Sequence, residues 1–257
     1  MIKPASNNQV REWRKLLMGK YRKRNGLFLA EGTRCVEQII KNQKVELDAI
    51  LKGSSINLNA FENTTYAPVF ELSSDDFSSI SDTESPQGIL AVCKIPSDKN
   101  IDEIAEKPGL ILALDAVQDP GNMGTIIRTA AWFGVSALLF GAGSADPFQP
   151  KVVRSTAGAT GVIDYIKGDL SDCFDTLEKK GWTINLLDGS SRAHSLDAIT
   201  PLEKEVLVVG NEGNGIDKNL IKANRNLIRI DGNQEIVESL NAAVATSIAL
   251  YSFAGRM

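Results

Sequence analysis

A chain of 257 residues, 43% hydrophobic and 23% charged, has ample material for a core and the balance of an ordinary globular protein. It holds no apolar run of membrane-spanning length, and its start, Met-Ile-Lys-Pro-Ala-Ser-Asn-Asn, lacks the hydrophobic region of a signal peptide, so no membrane association is expected. Three scattered cysteines (Cys35, Cys93, Cys173) and a single histidine, His194, exclude a disulfide scaffold and a His-rich metal site; no metal is expected, and a cytoplasmic setting with reduced thiols is.

The net charge of −4 conceals an asymmetry, because residues 1–44 carry eleven Lys/Arg against three acids. A basic segment on an acidic body is a footprint of nucleic-acid contact, although a solvated helix face gives the same count. Within it, Val10, Trp13, Leu16 and Leu17 recur at helical spacing, which predicts an amphipathic helix over 8–19. Tyr21-Arg22-Lys23-Arg24-Asn25-Gly26 then reads as a basic loop, Leu27 to Ala30 as a strand, and Thr33 as the cap of a second helix carrying Val36, Ile39 and Ile40 inward. Short strands over 47–51 and 69–72, a helix over 74–80 behind Ser73 or Ser74, and a strand over 88–95 complete a small α/β domain, residues 1–96. Polar residues 97–108 form a linker, with a brief helix over 101–105.

A second α/β domain is expected over 109–257. It opens with Leu110 to Asp115, the continuous apolar run that a strand buried on both faces requires. A Pro- and Gly-containing loop, Ala116 to Gly124, leads to a helix over 125–133 that Gly134 ends. Further strands are read at 137–140, 162–166 and 183–187, and helices at 150–156 and 171–180. The β-loop-α rhythm predicts a mostly parallel sheet covered on both sides. Near the end, the apolar runs Val206 to Val209 and Leu227 to Ile230 each stop at a polar loop: Gly210-Asn211-Glu212-Gly213-Asn214-Gly215 after the first, Asp231 to Glu238 after the second. A final helix is expected from Ser239. Loops at the carboxyl ends of parallel strands are where open α/β sheets bind ligands, so these two are the best site candidates.

Several patterns compete for function. The glycine loop at 210–215 is spaced G-x-x-G-x-G rather than G-x-G-x-x-G, which argues against a nicotinamide enzyme, and no Walker A sequence is present. Ser190, Ser191 and His194 lie close together without the Gly-flanked strand-to-helix turn of a serine hydrolase. Arg128 reads either as a helix residue snorkelling to the surface or as a guanidinium directed at an RNA phosphate. Glu212 reads as an ordinary loop acid or as the partner that holds Arg128. Ser239 and Asn241 read as helix caps or as site residues.

Taken together, Asn122-x-Gly124-x-x-x-Arg128-Thr129-Ala130-x-x-Phe133-Gly134, Gly210-Asn211-Glu212-Gly213-x-Gly215 and Glu238-Ser239-Leu240-Asn241 closely resemble, in order, the three motifs of SpoU-type RNA ribose 2′-O-methyltransferases of the SPOUT superfamily. The resemblance extends to Asp146-x-Phe148-x-Pro150-Lys151-x-x-Arg154-x-x-x-Gly158. Arg22-Lys23-x-x-Gly26-Leu27-Phe28-x-x-Glu31-Gly32 and Pro86 to Ala91 are similar to that family's L30e-like substrate-binding domain. It implies a C-terminal domain closed by a deep trefoil knot, a topology that general chain rules treat as exceptional. It also implies a homodimer, S-adenosylmethionine as methyl donor, and an RNA substrate, ribosomal ahead of transfer RNA.

By the same resemblance, Arg128, Asn122, Glu212, Ser239 and Asn241 form the catalytic set, with Arg128 as a base or as the group that stabilises the developing alkoxide. Gly210, Asn211, Ile230, Leu240 and the Leu187-Asp188-Gly189 loop would surround the cofactor. Arg22, Lys23, Arg24 and Arg154 would contact RNA. A non-catalytic RNA-binding relative is the main alternative. The chain departs from the family at Ile230-Asp231-Gly232-Asn233, where Ile-Pro-Met is common.

Overall fold

The computed structural model describes residues 2–54, 56 and 67–254. The chain divides into two compact units: Met1–Ser97 with Asp146–Val162, and Asp98–Ala145 with Ile163–Met257. Among the described residues, no helix is long and apolar enough to cross a membrane.

In the first unit, strands β1 (Ile2–Pro4), β2 (Leu27–Glu31), β3 (Leu47–Gly53), β4 (Val69–Leu72) and β5 (Ile89–Lys94) form a mixed sheet in the order β1-β4-β3-β5-β2. The charged, exposed β1 is absent from the sequence reading because it has no apolar alternation; it is a strand by virtue of its parallel pairing with β4. Helix α1 (Asn7–Lys15) starts at a capping box between Ser6 and Gln9. It buries Val10 and Trp13, followed by Leu16, against Leu29, Leu51, Phe77 and Leu90. Helix α3 (Thr33–Asn42) buries Cys35, Val36, Ile39 and Ile40, and Ser73 caps α4 (Ser74–Ile80). Thr33 is the first residue of α3 rather than its cap; its N–H is satisfied by Gln87 Oε1 at 2.9 Å.

The expected basic loop after α1 is a second helix, α2 (Gly19–Asn25), ended by Gly26 in the left-handed conformation at φ 64°. One side chain explains it. Arg22 is buried, its Nη1 donates to Leu16 O and Leu17 O at 2.9 Å each, and its Nε and Nη2 grip Asp146 Oδ2 at 3.1 and 2.7 Å. The guanidinium thus satisfies carbonyls just past the end of α1 and fixes the direction of α2. Arg22 is therefore spent on structure and is withdrawn from the RNA-contacting set, while Lys23 and Arg24 are exposed.

The excursion that begins at Asp146 belongs to this unit. Phe148 stacks at a tilt on Phe28, with ring centroids 5.2 Å apart, and Asn42 Nδ2 donates to Gly158 O at 3.2 Å. Arg154, on α7 (Pro150–Ser155), reaches Asp82 at 3.4 Å. Asp82 lies beside the buried Glu31 carboxylate, which also accepts from Ser81, Thr83 and the Asp82 N–H.

The second unit carries β6 (Gly109–Leu114), β7 (Ala137–Phe140), β8 (Asp164–Lys167), β9 (Thr183–Leu187), β10 (His194–Ser195), β11 (Lys204–Val209) and β12 (Asn226–Arg229). They form one sheet in the order β10-β12-β9-β11-β6-β7-β8, with every pairing parallel. Its helices are α5 (Ile101–Ala105), α6 (Pro120–Trp132), α8 (Leu170–Lys179) and α9 (Ala242–Ala254). Strands β6 and β11 are nearly sealed from water, as their unbroken apolar runs require. His194 lies exposed on the two-residue edge strand β10.

A polar seam crosses the interior: Asn226 Nδ2 donates to Asn185 Oδ1 at 2.9 Å, and the Asn185 amide donates to the Glu205 carboxylate. Burial pushes the Glu205 carboxyl above its ordinary range, while the Leu202 N–H and the Asn185 amide pull it back. The seam joins three neighbouring strands, β12, β9 and β11, and sets their register with directional bonds.

Replacing Arg22 by Ala leaves Leu16 O, Leu17 O and Asp146 without their shared donor. It should cost about 3 kcal/mol in urea unfolding, and Arg22→Lys should recover only part, because an ammonium cannot match a planar fork. A change below about 0.5 kcal/mol would show that α2 stands without this anchor.

Candidate active site

From β6 the chain turns through α6 to β7 on one side of the sheet, whereas β11 lies on the other side of β6. The carboxyl ends of β6 and β11 therefore flank a topological switch point, where parallel sheets leave a crevice. The loop after each strand brings one group to it.

After β6, Ala116 takes a left-handed φ of 53° and Asp119 caps α6, its Oδ1 accepting from Asn122 N at 2.7 Å with Pro120 at the first turn. Helix α6 thus begins five residues earlier than the periodicity indicates, and Asn122 lies in its first turn rather than in a loop. After β11, Asn211 and Gly215 exchange both backbone hydrogen bonds at 2.9 Å, closing a tight loop. A Cβ on Gly210 would lie 2.4 Å from the Gly215 carbonyl carbon, so only glycine fits there. The loop presents Glu212 outward.

The two loops meet through side chains. Asn122 Nδ2 donates to Glu212 Oε1 at 3.0 Å, and Asn122 Oδ1 accepts from Asn241 Nδ2 at 3.0 Å. Three residues from three motifs, 90 and 119 positions apart in the pairs, form one hydrogen-bonded chain. Asn241 serves twice, because its Oδ1 also accepts from Ala243 N at 2.9 Å and Val244 N at 3.3 Å at the start of α9. Capping and site roles coincide in one residue. Helix α9 consequently starts at Ala242 rather than Ser239.

Arg128 and Ser239 are not drawn into this chain. Both are exposed, and their side chains make no hydrogen bond or ion pair among the described residues. The expected Glu212–Arg128 pair is absent among those residues, since Glu212 takes the Asn122 amide instead. Arg128 lies six residues beyond Asn122, and at 3.6 residues per turn its side chain leaves α6 about 120° away from that of Asn122. Its guanidinium faces solvent.

The loops expected around the cofactor follow three adjacent strands, β12, β9 and β11. Asp188 Oδ1 accepts from Ser190 N at 2.7 Å, and Gln234 Nε2 donates to Gly189 O at 2.8 Å, tying the loop after β9 to that after β12. Arg229 holds the same region through Ala193 O and Asp231 Oδ1, at 2.9 and 2.8 Å. Ser195 and Arg229 hold the Asp231 carboxyl below its usual range. Ile230 is partly exposed and Leu240 is 48% exposed, offering apolar surface beside these loops.

Among the described residues, the buried Ser190 hydroxyl has no hydrogen-bond partner. An orphaned donor beside apolar walls and backbone-rich loops fits a ligand with both polar and apolar parts, such as a nucleoside. Of the residues expected at the cofactor, Gly210, Leu187, Asp188, Gly189, Ile230 and Leu240 lie on or beside these loops, whereas the Asn211 side chain is engaged within the protein: its Nδ2 donates to Ala116 O at 2.9 Å, and its Oδ1 accepts from Gly213 N and Asn214 N at 3.0 Å each. Among the described residues, no group of three or more His, Cys, Asp or Glu could hold a metal ion.

Sequence reasoning missed Asp119 and Gln234, and weighed Ser190 only as a hydrolase nucleophile. The Asp119-Pro120 pair carried a legible helix-start signal; Gln234 acts through a contact distant in sequence.

Fold and site define a parallel α/β protein with its functional groups at the carboxyl edge of the sheet. Residues 109–251 match the SpoU rRNA Methylase family, and residues 7–91 match the MRM3-like substrate binding domain. The chain belongs to the SpoU rRNA methylase family. It is 36% identical over 259 residues to the 23S rRNA (guanosine(2553)-2′-O)-methyltransferase RlmP of Bacillus subtilis, covering 99% of each chain. A solved structure from Porphyromonas gingivalis, placed in the TrmH family, superposes with a TM-score of 0.85 at 32% identity, covering 98% of this chain and 99% of that one. The AdoMet-bound rRNA methyltransferase of Sinorhizobium meliloti gives a TM-score of 0.85 at 25% identity, covering 98% and 97%.

Proposed function

We propose that this protein transfers a methyl group from S-adenosylmethionine to a ribose 2′-hydroxyl of structured RNA, with ribosomal RNA as its substrate. The observation that carries this reading is the Glu212–Asn122–Asn241 chain, which joins all three motifs at the switch point. The RNA named for the Bacillus relative, 23S rRNA, is the first substrate to test.

The cofactor supplies a sulfonium-activated methyl group. The chain's task is to align the ribose oxygen with it and to manage the hydroxyl's proton and charge. Asn122, held from both sides, and Glu212, with its second carboxylate oxygen unengaged among the described residues, present fixed polar groups to the ribose. Arg128, exposed six residues further along α6, grips the RNA phosphate and stabilises the developing alkoxide. A guanidinium stays protonated in proteins, so this electrostatic role is preferred to that of a base. Ser239 joins the site when RNA and cofactor occupy it.

Lys23 and Arg24, on a helix fixed by Arg22, dock the RNA backbone, with Arg154 on α7 as an accessory contact. The first unit takes the L30e-like role. The protein acts as a homodimer through the face where α6 packs on α9. There Trp132 is 84% and Tyr251 70% exposed beside exposed Val244 and Ile248, and α9 contains no charged residue. The C-terminal segment follows the family's knotted path. The three buried, unbridged cysteines suit a reducing cytoplasm, which cell fractionation checks.

Four measurements test these assignments. With unmodified 23S rRNA, Arg128→Ala should lower kcat at least about a hundredfold, with S-adenosylmethionine affinity held within about threefold. In the same assay, Lys23→Ala with Arg24→Ala should raise the KM for RNA and reduce the salt slope of binding by about 1.5. Wild-type turnover by Arg128→Ala, or RNA affinity indifferent to the two cations, counts against those roles. In sedimentation, Trp132→Glu with Ile248→Glu should convert dimer to monomer; a wild-type monomer would refute the dimer. Single molecules pulled from both ends should fall short of the extended length of 257 residues at about 3.3–3.6 Å each, and a full-length trace would exclude the knot.

A further inference from the structure

We infer that Asn211 is a positioning residue for methyl transfer, acting through Glu212 rather than touching cofactor or RNA. This rests on the methyl-transfer reading above. The Oδ1 atom collects Gly213 N and Asn214 N at 3.0 Å each, folding the chain around Glu212. The Nδ2 atom reaches across to Ala116 O at 2.9 Å, at the end of the neighbouring strand β6. Both polar ends are engaged, and the backbone N–H and C=O are both bonded to Gly215.

The bond to Ala116 matters because of where Ala116 lies. Its φ of 53° is left-handed, a conformation that costs a non-glycine residue roughly 1 kcal/mol and persists only where surroundings hold it. A second tie runs alongside, from Asp217 N to Asp115 Oδ2 at 2.7 Å. The segment beyond Ala116 leads directly to Asp119, the cap that sets Asn122 in the first turn of α6. The loop after β11 is thus tied twice to the segment after β6: at its root by Asn211–Ala116 and at its tip by Glu212 to Asn122 in the first turn of α6. A 3.0 Å hydrogen bond between two partly solvated side chains, one on a loop and one on a helix start, tolerates little relative drift. Asn211 supplies the rigidity that keeps the tip bond in reach.

The chemistry of the amide separates this role from a simple loop-former. Asn211→Asp keeps the acceptor for Gly213 and Asn214 but turns a carboxylate oxygen toward the Ala116 carbonyl, removing the cross-strand donor. Asn211→Ala removes both functions. The positioning role predicts that Asn211→Asp lowers single-turnover methyl transfer about tenfold or more, while S-adenosylmethionine affinity by calorimetry stays within about threefold of wild type. In a Glu212→Ala background, where there is no carboxylate left to position, the same substitution should cost less than about twofold. A general loosening of the fold would instead cost the same factor in both backgrounds.

Amide hydrogen exchange of the purified protein gives a readout independent of activity. Gly213 and Asn214 should exchange faster in Asn211→Ala and remain near wild-type rates in Asn211→Asp. Three results would overturn the inference: unchanged turnover in Asn211→Asp, an equal loss with and without Glu212, or a loss of cofactor affinity that parallels the loss of turnover. The last would restore Asn211 to the cofactor site. A wild-type protein that binds S-adenosylmethionine yet methylates no RNA would instead refute the methyl-transfer reading; Asn211 would then have no such reaction to position, whatever the exchange data show.

Discussion

The site depends on a single amide being held from both sides. Asn122 donates to Glu212 and accepts from Asn241, and no other contact among the described residues joins the three motifs so directly. An amide suits that position because it offers one donor group and one acceptor in a fixed plane, so reversing it would break both bonds. The rest of the second unit can be understood as the frame that delivers three chain segments to one amide. The parallel sheet brings β6 and β11 side by side, Asp119 and Pro120 start α6 where Asn122 falls in its first turn, and α9 begins just after the residue that completes the chain.

That frame is stiffened by polar groups placed among apolar ones. The Glu205–Asn185–Asn226 seam crosses the buried strands, and Arg225, its side chain fully buried, clamps Asp175 and Glu178 while lying over the Phe174 ring at 5.1 Å. Apolar packing alone is non-directional and tolerates sliding between strands. Directional bonds at these points fix which residue faces which, and a site built from three loops requires that. In the first unit Arg22 has the corresponding task, converting a run of cations into a helix of defined direction.

Arg22 also shows how residue type misleads. As part of Tyr21-Arg22-Lys23-Arg24 it reads as one of three equivalent RNA-facing cations, yet the structure buries it and leaves its neighbours outside. Composition counts charge but does not say which way a side chain points. Helix α2 was invisible for the same reason: its order comes from Arg22 reaching Asp146, 124 positions away, and no apolar stripe announces it. Asn211 shows the converse. The family resemblance placed it at the cofactor, whereas its side-chain bonds all run to the protein's own backbone.

Much was legible without coordinates. The unbroken apolar runs at 110–114 and 206–209 read as buried strands, and their polar endings marked the ligand edge of a parallel sheet. The order of Asn122, Arg128, Glu212, Ser239 and Asn241 named the family. These signals are local, set by periodicity, by turn residues and by motif spacing, so one dimension suffices to carry them. The tertiary structure decided which of those residues meet. It joined Asn122, Glu212 and Asn241, turned Arg128 outward, gave Arg154 a carboxylate partner in Asp82 and enclosed Arg22. Such contacts span 72 to 124 positions and depend on strand order and helix rotation, which no local pattern encodes.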